Sequence, residues 1–190
     1  DLERARAAAI RIEEDANRAA DVINSLQSFY KRGTPVKRQI VDVKKIVEEM
    51  AVLLETEASR YTITIRTQIE EDTPKLLVDR VQLQQIFMNL MLNAIEAMKD
   101  TGGELTVKSR LNPEGWLLVS ISDTGVGLPE GWTEEIFDLF HSTKPQGTGM
   151  GLTITRSIVE SYGGRVWATS NQESGATFHF TLPGEVEANP

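Results

Sequence analysis

Two asparagines, Asn89 and Asn93, stand four residues apart in the stretch DRVQLQQIFMNLMLNAIEAM, residues 79–98. The stretch reads as one long helix. Asp79 is a good N-cap, and apolar side chains recur at helical spacing at Leu83, Ile86, Phe87, Leu90, Ala94, Ala97 and Met98. Gln82, Gln85, Asn89, Asn93 and Glu96 follow at steps of three and four, so they share the other side. Between Val81 and Met98, Glu96 is the only charged residue. A solvated helix face ordinarily uses Lys and Glu, whereas an interior Asn costs about 0.5 kcal/mol relative to Ala. Asn at i and i+4 presents two neighbouring amide oxygens. Such oxygens suit a hard cation like Mg²⁺, which keeps waters and leans on a ligand's phosphates. From the helix alone, a quiet polar face with two Asn by chance fits as well.

Two glycine-rich stretches follow. Asp123-Thr-Gly-Val-Gly127 comes directly after a predicted strand. Gly125 and Gly127 allow positive φ and close approach of backbone to a ligand. A strand-end Asp beside such a turn can accept a hydrogen bond from an exocyclic amine, as adenine offers. A calcium loop has the same look, but further acidic ligands are lacking nearby. Gly147-Thr-Gly-Met-Gly151 enters a helix. A glycine loop feeding a helix N-terminus cradles phosphate, because its N–H groups and the helix dipole both favour an anion. It is neither a Walker loop nor a dinucleotide fingerprint. Lys144 lies just upstream, where it can meet a phosphate or simply face water. Between the two stretches sits Ile136-Phe-Asp-Leu-Phe140, with Phe137 and Phe140 one helical turn apart, as core packing or as the anchor of a lid.

The elements that must position these residues are predicted from periodicity. Residues 2–30 carry small or apolar side chains at alternating steps of three and four, from Leu2 to Tyr30. That is a coiled-coil or bundle seam, and a lone helix cannot bury it on itself. Its partner would be a helix of another chain or of a missing upstream segment; docking on its own domain is the alternative. Gly33-Thr34-Pro35 ends the helix. A strand at 36–41 precedes a helix capped by Asp42 and running to about residue 60, with Ile46, Val47, Met50, Leu53 and Leu54 inward. Strands are expected at 61–69, 76–78, 104–111, 116–122, 165–170 and 176–182, and a helix at 151–162. The order predicts an α/β fold, a two-layer sandwich with a mixed sheet, preceded by the long heptad helix.

Composition narrows the function. With 40% hydrophobic and 25% charged residues in 190, the chain is an ordinary globular protein of one to two domains. A net charge of −8 disfavours a nucleic-acid or anionic-membrane surface. It has no Cys, hence no disulfide framework and no thiolate metal site. No apolar run approaches the ~20 residues of a membrane span. A chain that opens at Asp1 in mid-helix is expected to be a fragment of a longer protein.

The order Asn89…Asn93, Asp123-x-Gly125-x-Gly127, Phe137-x-x-Phe140, Gly147-x-Gly149-x-Gly151 resembles a known set of boxes. These are the N, first glycine, phenylalanine and second glycine boxes of sensor histidine kinases of two-component systems, within the GHKL ATP-binding superfamily. The resemblance covers roughly residues 36–183, and the heptad helix is similar to the second helix of the family's dimerisation domain. It implies a partial dimerisation and phosphotransfer helix at 1–33, a linker at 34–38, an ATP-binding catalytic domain at 39–184 and a tail at 185–190. It implies that Asn93 binds Mg²⁺ bridging the ATP phosphates, with Asn89 beside it. Asp123 would hold the adenine amine, with Gly125 and Gly127 shaping that wall and Thr177 assisting Asp123. Gly147, Thr148, Gly149, Met150 and Gly151 would line the triphosphate beneath a lid from about 141 to 150, with Lys144 approaching the phosphates. Hydrolysing members of the superfamily resemble this helix but carry a Glu general base where Asn89 stands. An amide takes no proton from water, so little ATP hydrolysis is expected.

The same resemblance implies a protein-histidine kinase, a response regulator as partner, a homodimer through the N-terminal helix with the missing upstream helix, and a cytoplasmic location. The only histidines, His141 and His179, lack the acidic context of the family's acceptor, so the acceptor is expected upstream and self-phosphorylation of this chain is not. Two alternatives stay open: a nucleotide-binding regulatory pseudokinase, and a GHKL Ser/Thr kinase of the anti-sigma-factor type.

Overall fold

The structure is a computed structural model that describes Arg6 and residues 37–129, 131, 135–137 and 150–184. The expected heptad helix and most of the expected lid, including His141, lie outside the described residues.

Chain order is β1 (Gln39–Val41), α1 (Val43–Arg60), β2 (Ile63–Ile69), β3 (Leu76–Val78), α2 (Arg80–Ala97), β4 (Gly103–Leu111), β5 (Trp116–Ser122), a 3₁₀ turn (Glu135–Phe137), α3 (Met150–Ser161), β6 (Val166–Ser170) and β7 (Ala176–Pro183). Both long helices begin on an aspartate. Asp42 accepts a hydrogen bond from the Lys44 N–H at 3.0 Å, and Asp79 Oδ1 accepts from the Val81 N–H at 2.9 Å and the Gln82 N–H at 3.3 Å. Each carboxylate satisfies donors that the first helical turn leaves unpaired.

Five strands form one mixed sheet in the order β2-β4-β5-β7-β6. β2 and β4 run parallel, with Ile63 opposite Gly103 and Ile69 opposite Ser109. A parallel pair needs a long crossover, and here it is β3 followed by α2. The remaining neighbours are antiparallel. β1 and β3 pair as a separate two-stranded sheet. The helices cover one face of the large sheet. Leu105, Val107, Leu117, Val119, Ile121, Phe178, Phe180 and Leu182 point into that layer and are buried. Strict alternation sends Lys108, Ser120, Thr177 and His179 to the other face.

α2 is the central helix of the layer. Leu83, Ile86, Phe87, Leu90, Met91, Ala94, Ile95 and Met98 are buried. Phe87 meets Phe180 of β7 edge to face, with ring centroids 5.7 Å apart. Of the polar stripe, Gln82 is taken up structurally: Tyr162 donates its hydroxyl to Gln82 Oε1 at 2.6 Å and accepts from the Asp79 N–H at 2.9 Å.

Two expectations are corrected. Leu53 is 59% exposed rather than inward, because the buried stripe of α1 runs through Val43, Ile46, Val47, Met50, Leu54 and Ala58. Leu53 stands about 100° around the helix from Leu54 and leaves that stripe. β1 begins at Gln39, three residues later than expected. Only Gln39–Val41 find partners on the equally short β3.

Packing of this kind predicts unequal costs. Phe87→Ala should destabilise the domain by about 3–5 kcal/mol, as large-to-small changes in a packed core do. Leu53→Ala should stay within about 0.5 kcal/mol. Urea unfolding of the two variants checks both numbers.

Candidate nucleotide site

The site is built around Asp123, which is only 1% exposed. It follows β5 directly, and its main chain stays in the sheet through its N–H, which donates to the Ala176 carbonyl at 2.9 Å. Its Oδ1 accepts from the Gly125 N–H at 2.9 Å and from the Ala176 N–H at 3.3 Å. Among the described residues Oδ2 has no hydrogen-bond donor, yet no fully occluded side-chain oxygen lacks a partner. The free edge of the carboxylate therefore still reaches open space. Burial pushes the Asp123 carboxyl above its ordinary pKa of 3.8, and the two backbone N–H groups pull the other way.

Two glycines make this burial possible. A Cβ on Gly125 would run into the Ala97 carbonyl, where α2 ends, and the next residue, Val126, donates its N–H to that carbonyl at 3.2 Å. The turn thus lies flat on the C-terminus of α2. Gly175 has φ +87°, and a Cβ there would collide with the Asp123 carbonyl and come within 2.9 Å of Asp123 Oδ1. Gly127, in turn, packs against the Gly175 backbone. Gly175 and Ala176 were not singled out in the sequence. Their signal was a glycine immediately before a strand, which many hairpins share.

Farther back along α2, Asn89 Nδ2 donates to the Gly151 carbonyl at 3.0 Å, joining α2 to the first turn of α3. The Asn89 amide oxygen is left on the other side of the group. Asn93, one turn on and half-buried, has no hydrogen-bond partner among the described residues. Met150 is buried at the start of α3. Lys144, Gly147, Thr148 and Gly149 lie outside the described residues, as does Phe140. Phe137 is buried and meets Phe178 edge to face, with centroids 6.3 Å apart.

Thr177 does not reach the Asp123 carboxylate. Alternation along β7 turns it to the open face of the sheet, where it donates to Asn171 Oδ1 at 2.7 Å and accepts from the Ser122 hydroxyl at 2.9 Å. Asn171 Nδ2 then donates to the Asp123 carbonyl at 2.8 Å. Any support from Thr177 passes through Asn171 to the main chain. Asn171 is a second residue that the sequence did not reveal. His179 also faces away from the site. Its ring nitrogens are hydrogen-bonded to Ser120 at 2.9 Å and Thr169 at 3.0 Å, and its ring stacks on Trp167. Burial and the nearby Arg110 hold its pKa below the ordinary 6.5.

Residues 78–186 match the family of histidine kinase-, DNA gyrase B- and HSP90-like ATPases. The chain belongs to this ATPase family. Over 178 residues, 93% of this chain, it is 39% identical to the sensor protein FixL of Bradyrhizobium diazoefficiens. It spans 35% of that relative's length. In fold it is similar to full-length ShkA solved in complex with AMPPNP, with a TM-score of 0.80 over 94% of this chain and 38% of that one, at 24% identity. It is also similar to histidine kinase ThkA solved in complex with the response regulator protein TrrA. There the TM-score is 0.73 over 89% of this chain and 49% of that one, at 25% identity. The domain is an ATP-binding catalytic domain of the sensor histidine kinase type. These relatives lend no support to the pseudokinase or Ser/Thr kinase alternatives. Among the described residues no helix is long and apolar enough to cross a membrane.

Asp123→Asn separates binding from folding. The amide oxygen can still accept from Gly125 and Ala176, but where Asp123 holds an adenine amine, as the resemblance implies, its NH₂ would confront that amine, donor against donor. Loss of one charge-assisted hydrogen bond, about 1.5–3 kcal/mol, should weaken ATP binding at least about ten-fold by calorimetry. The thermal midpoint without ligand at pH 7 should not fall. The folded pKa is raised, so this carboxyl's contribution to stability is complete below 3.8 and is lost as pH rises through the folded value. At pH 7 the wild type bears that cost, and the amide does not.

Proposed function

We propose that this domain binds MgATP and presents the γ-phosphoryl group to a histidine elsewhere in its parent protein, which passes it to an aspartate of a response regulator. The observation that carries the reading is the state of α2's polar stripe. Asn89 spends its NH₂ on α3 and offers only an amide oxygen, and α2 carries no carboxylate between Arg80 and Ile95. Such a surface can bind phosphates and a cation but has no base to activate water.

The residues fit Mg²⁺. The Asn93 amide is half-buried and unpartnered among the described residues, and the Asn89 oxygen is turned away from its only partners. Amide oxygens are hard donors. Among the described residues no cluster of three or more His, Asp or Glu forms a cage, in keeping with an ion that arrives with the nucleotide. When bound, Mg²⁺ neutralises charge on the phosphate oxygens and orients them.

The chain's own groups do the rest. Asp123 accepts the adenine amine on its free edge. Gly125 and Gly127 let backbone approach the ring. Lys144, Gly147, Thr148, Gly149, Met150 and Gly151 serve the phosphates at the N-terminus of α3, where the helix dipole favours an anion. Positioning and electrostatics then supply the catalysis, with no covalent chemistry asked of this domain.

His179 is unsuited as acceptor, since both ring nitrogens are bonded within the sheet. His141 lacks the acidic context of the family's acceptor, so the acceptor is assigned to another part of the parent protein. Residues 1–33 serve as a dimerisation and phosphotransfer helix, residues 34–38 as linker, 39–184 as the catalytic domain and 185–190 as tail. The parent acts as a homodimer, with this domain in the cytoplasm whether the parent is free or anchored in a membrane. The complex of ThkA with TrrA supports a response regulator as the kind of partner.

Titration with ATP, with and without Mg²⁺, on wild type and Asn93→Ala tests the reading. Magnesium should tighten ATP binding in the wild type, and Asn93→Ala should lose at least about ten-fold of that gain. Almost no ADP should accumulate. Abundant ADP from the wild type would mean that an amide at position 89 does not prevent hydrolysis, and the kinase reading would fail.

A further inference from the structure

Thr155 is fully buried on α3, at 0% exposure, and with Ser109 and Asp123 it is one of three buried polar residues among those described. Its hydroxyl donates to the Gly151 carbonyl, one turn back, at 3.0 Å. Alone that bond is an ordinary habit of helical threonine. The second contact is not part of that habit: Thr155 Oγ1 also accepts from Asn89 Nδ2, at 3.4 Å. Asn89 Nδ2 donates to the same Gly151 carbonyl at 3.0 Å. An amide NH₂ has two hydrogens. The NH₂ turns one side to a pair of α3 oxygens that are themselves hydrogen-bonded, the Gly151 carbonyl as the nearer and Thr155 Oγ1 as the farther acceptor.

We propose that Thr155 is a positioning residue for the magnesium–nucleotide site, holding the Asn89 amide in the one orientation that turns its oxygen away from α3 and toward the ligand. The inference rests on the reading that Asn89 and Asn93 flank the cation. Rotating the Asn89 amide by half a turn would set its oxygen against the Gly151 carbonyl, acceptor facing acceptor. Thr155 Oγ1 has its proton committed to the Gly151 carbonyl, so it turns a lone pair toward the same NH₂ and adds a second acceptor on that side. The arrangement also links two parts of the site. α3 starts at Met150, within the second glycine stretch, so the helical turn in which that stretch ends is the turn that orients the asparagine.

Thr155→Val removes the hydroxyl and keeps the shape; Thr155→Ser keeps the hydroxyl. ATP affinity is measured by calorimetry for both variants, in Mg²⁺ and in EDTA. Thr155→Val should lose about five-fold of the magnesium-dependent gain, the worth of one modest hydrogen bond, with affinity in EDTA unchanged. Thr155→Ser should stay within about two-fold of wild type in both. Equal losses with and without magnesium, or no loss in Thr155→Val, would overturn the proposal.

Asn93→Ala separates the two ideas. If it abolishes the magnesium effect while Thr155→Val does not, only the positioning role fails. If it leaves the magnesium effect intact, the cation reading fails and takes this inference with it. The wild-type protein gives a test that needs no ligand. The side-chain NH₂ signals of Asn89, assigned by their loss in Asn89→Ala, should exchange with water slowly. Exchange as fast as that of a surface asparagine would overturn the inference.

Discussion

A carboxylate shut away from water must be held by donors, and Asp123 is held by two backbone N–H groups alone. That requirement shapes its surroundings. The chain must fold back within two residues to bring the Gly125 N–H to Oδ1. The start of β7 must come close enough for the Ala176 N–H to reach the same atom. Neither approach tolerates a side chain at the point of closest contact, and Gly125 and Gly175 meet that condition. The network on the far side of the sheet completes the restraint. Asn171 holds the Asp123 carbonyl, and Ser122, Thr177 and Asn171 hold one another. The main chain of Asp123 is fixed from behind, so one edge of its carboxylate can stay unpaired in front.

α2 sets the scale of the site. Its C-terminus meets the turn beyond Asp123 through Ala97, and its middle meets the start of α3 through Asn89. Eight residues separate Asn89 from Ala97, about 12 Å along a helix rising 1.5 Å per residue. The Asp123 turn and the phosphate-facing helix end are therefore both referenced to one rigid element. The helix itself is anchored from below, with Phe87 against Phe180 and an unbroken buried stripe on that side. Its apolar stripe binds it to the sheet, while its polar stripe meets Tyr162 through Gln82 and α3 through Asn89.

Much of this was legible in the sequence, for reasons that differ between elements. α2 was read from a good cap and an apolar repeat, and it runs from Arg80 to Ala97. The strands at 104–111 and 116–122 are legible from alternation, and Asn112 closes the hairpin between them by accepting from the Trp116 N–H at 2.7 Å. Local signals sufficed there because local forces decide those elements. Leu53 failed because helical periodicity leaves the edge of a stripe undefined until a neighbour packs on it. Thr177 lies far from Asp123 in sequence, and the pleat assigns each face of β7 residue by residue, so it bonds to Ser122 and Asn171 on the open face and can support Asp123 only indirectly. Asn171 and Gly175 were invisible because their roles depend on the β6–β7 turn meeting β5, a contact between distant parts of the chain.

The two faces of the sheet divide the work. On the open face, the polar side chains of β5, β6 and β7 bond to one another, with Ser120, Thr169 and His179 in one group and Ser122, Asn171 and Thr177 in the next. A histidine in such a group has its lone pair and its proton engaged, and burial keeps it neutral. It serves to tie three strands together. On the helix-covered face the polar groups are fewer and several are left half-satisfied: one edge of Asp123, the amide oxygen of Asn89, the whole amide of Asn93. Buried polar groups are ordinarily paired. The half-satisfied groups here are not occluded ones, for no buried side-chain nitrogen or oxygen among the described residues lacks a partner, and they gather along one side of α2 and at the adjoining strand end.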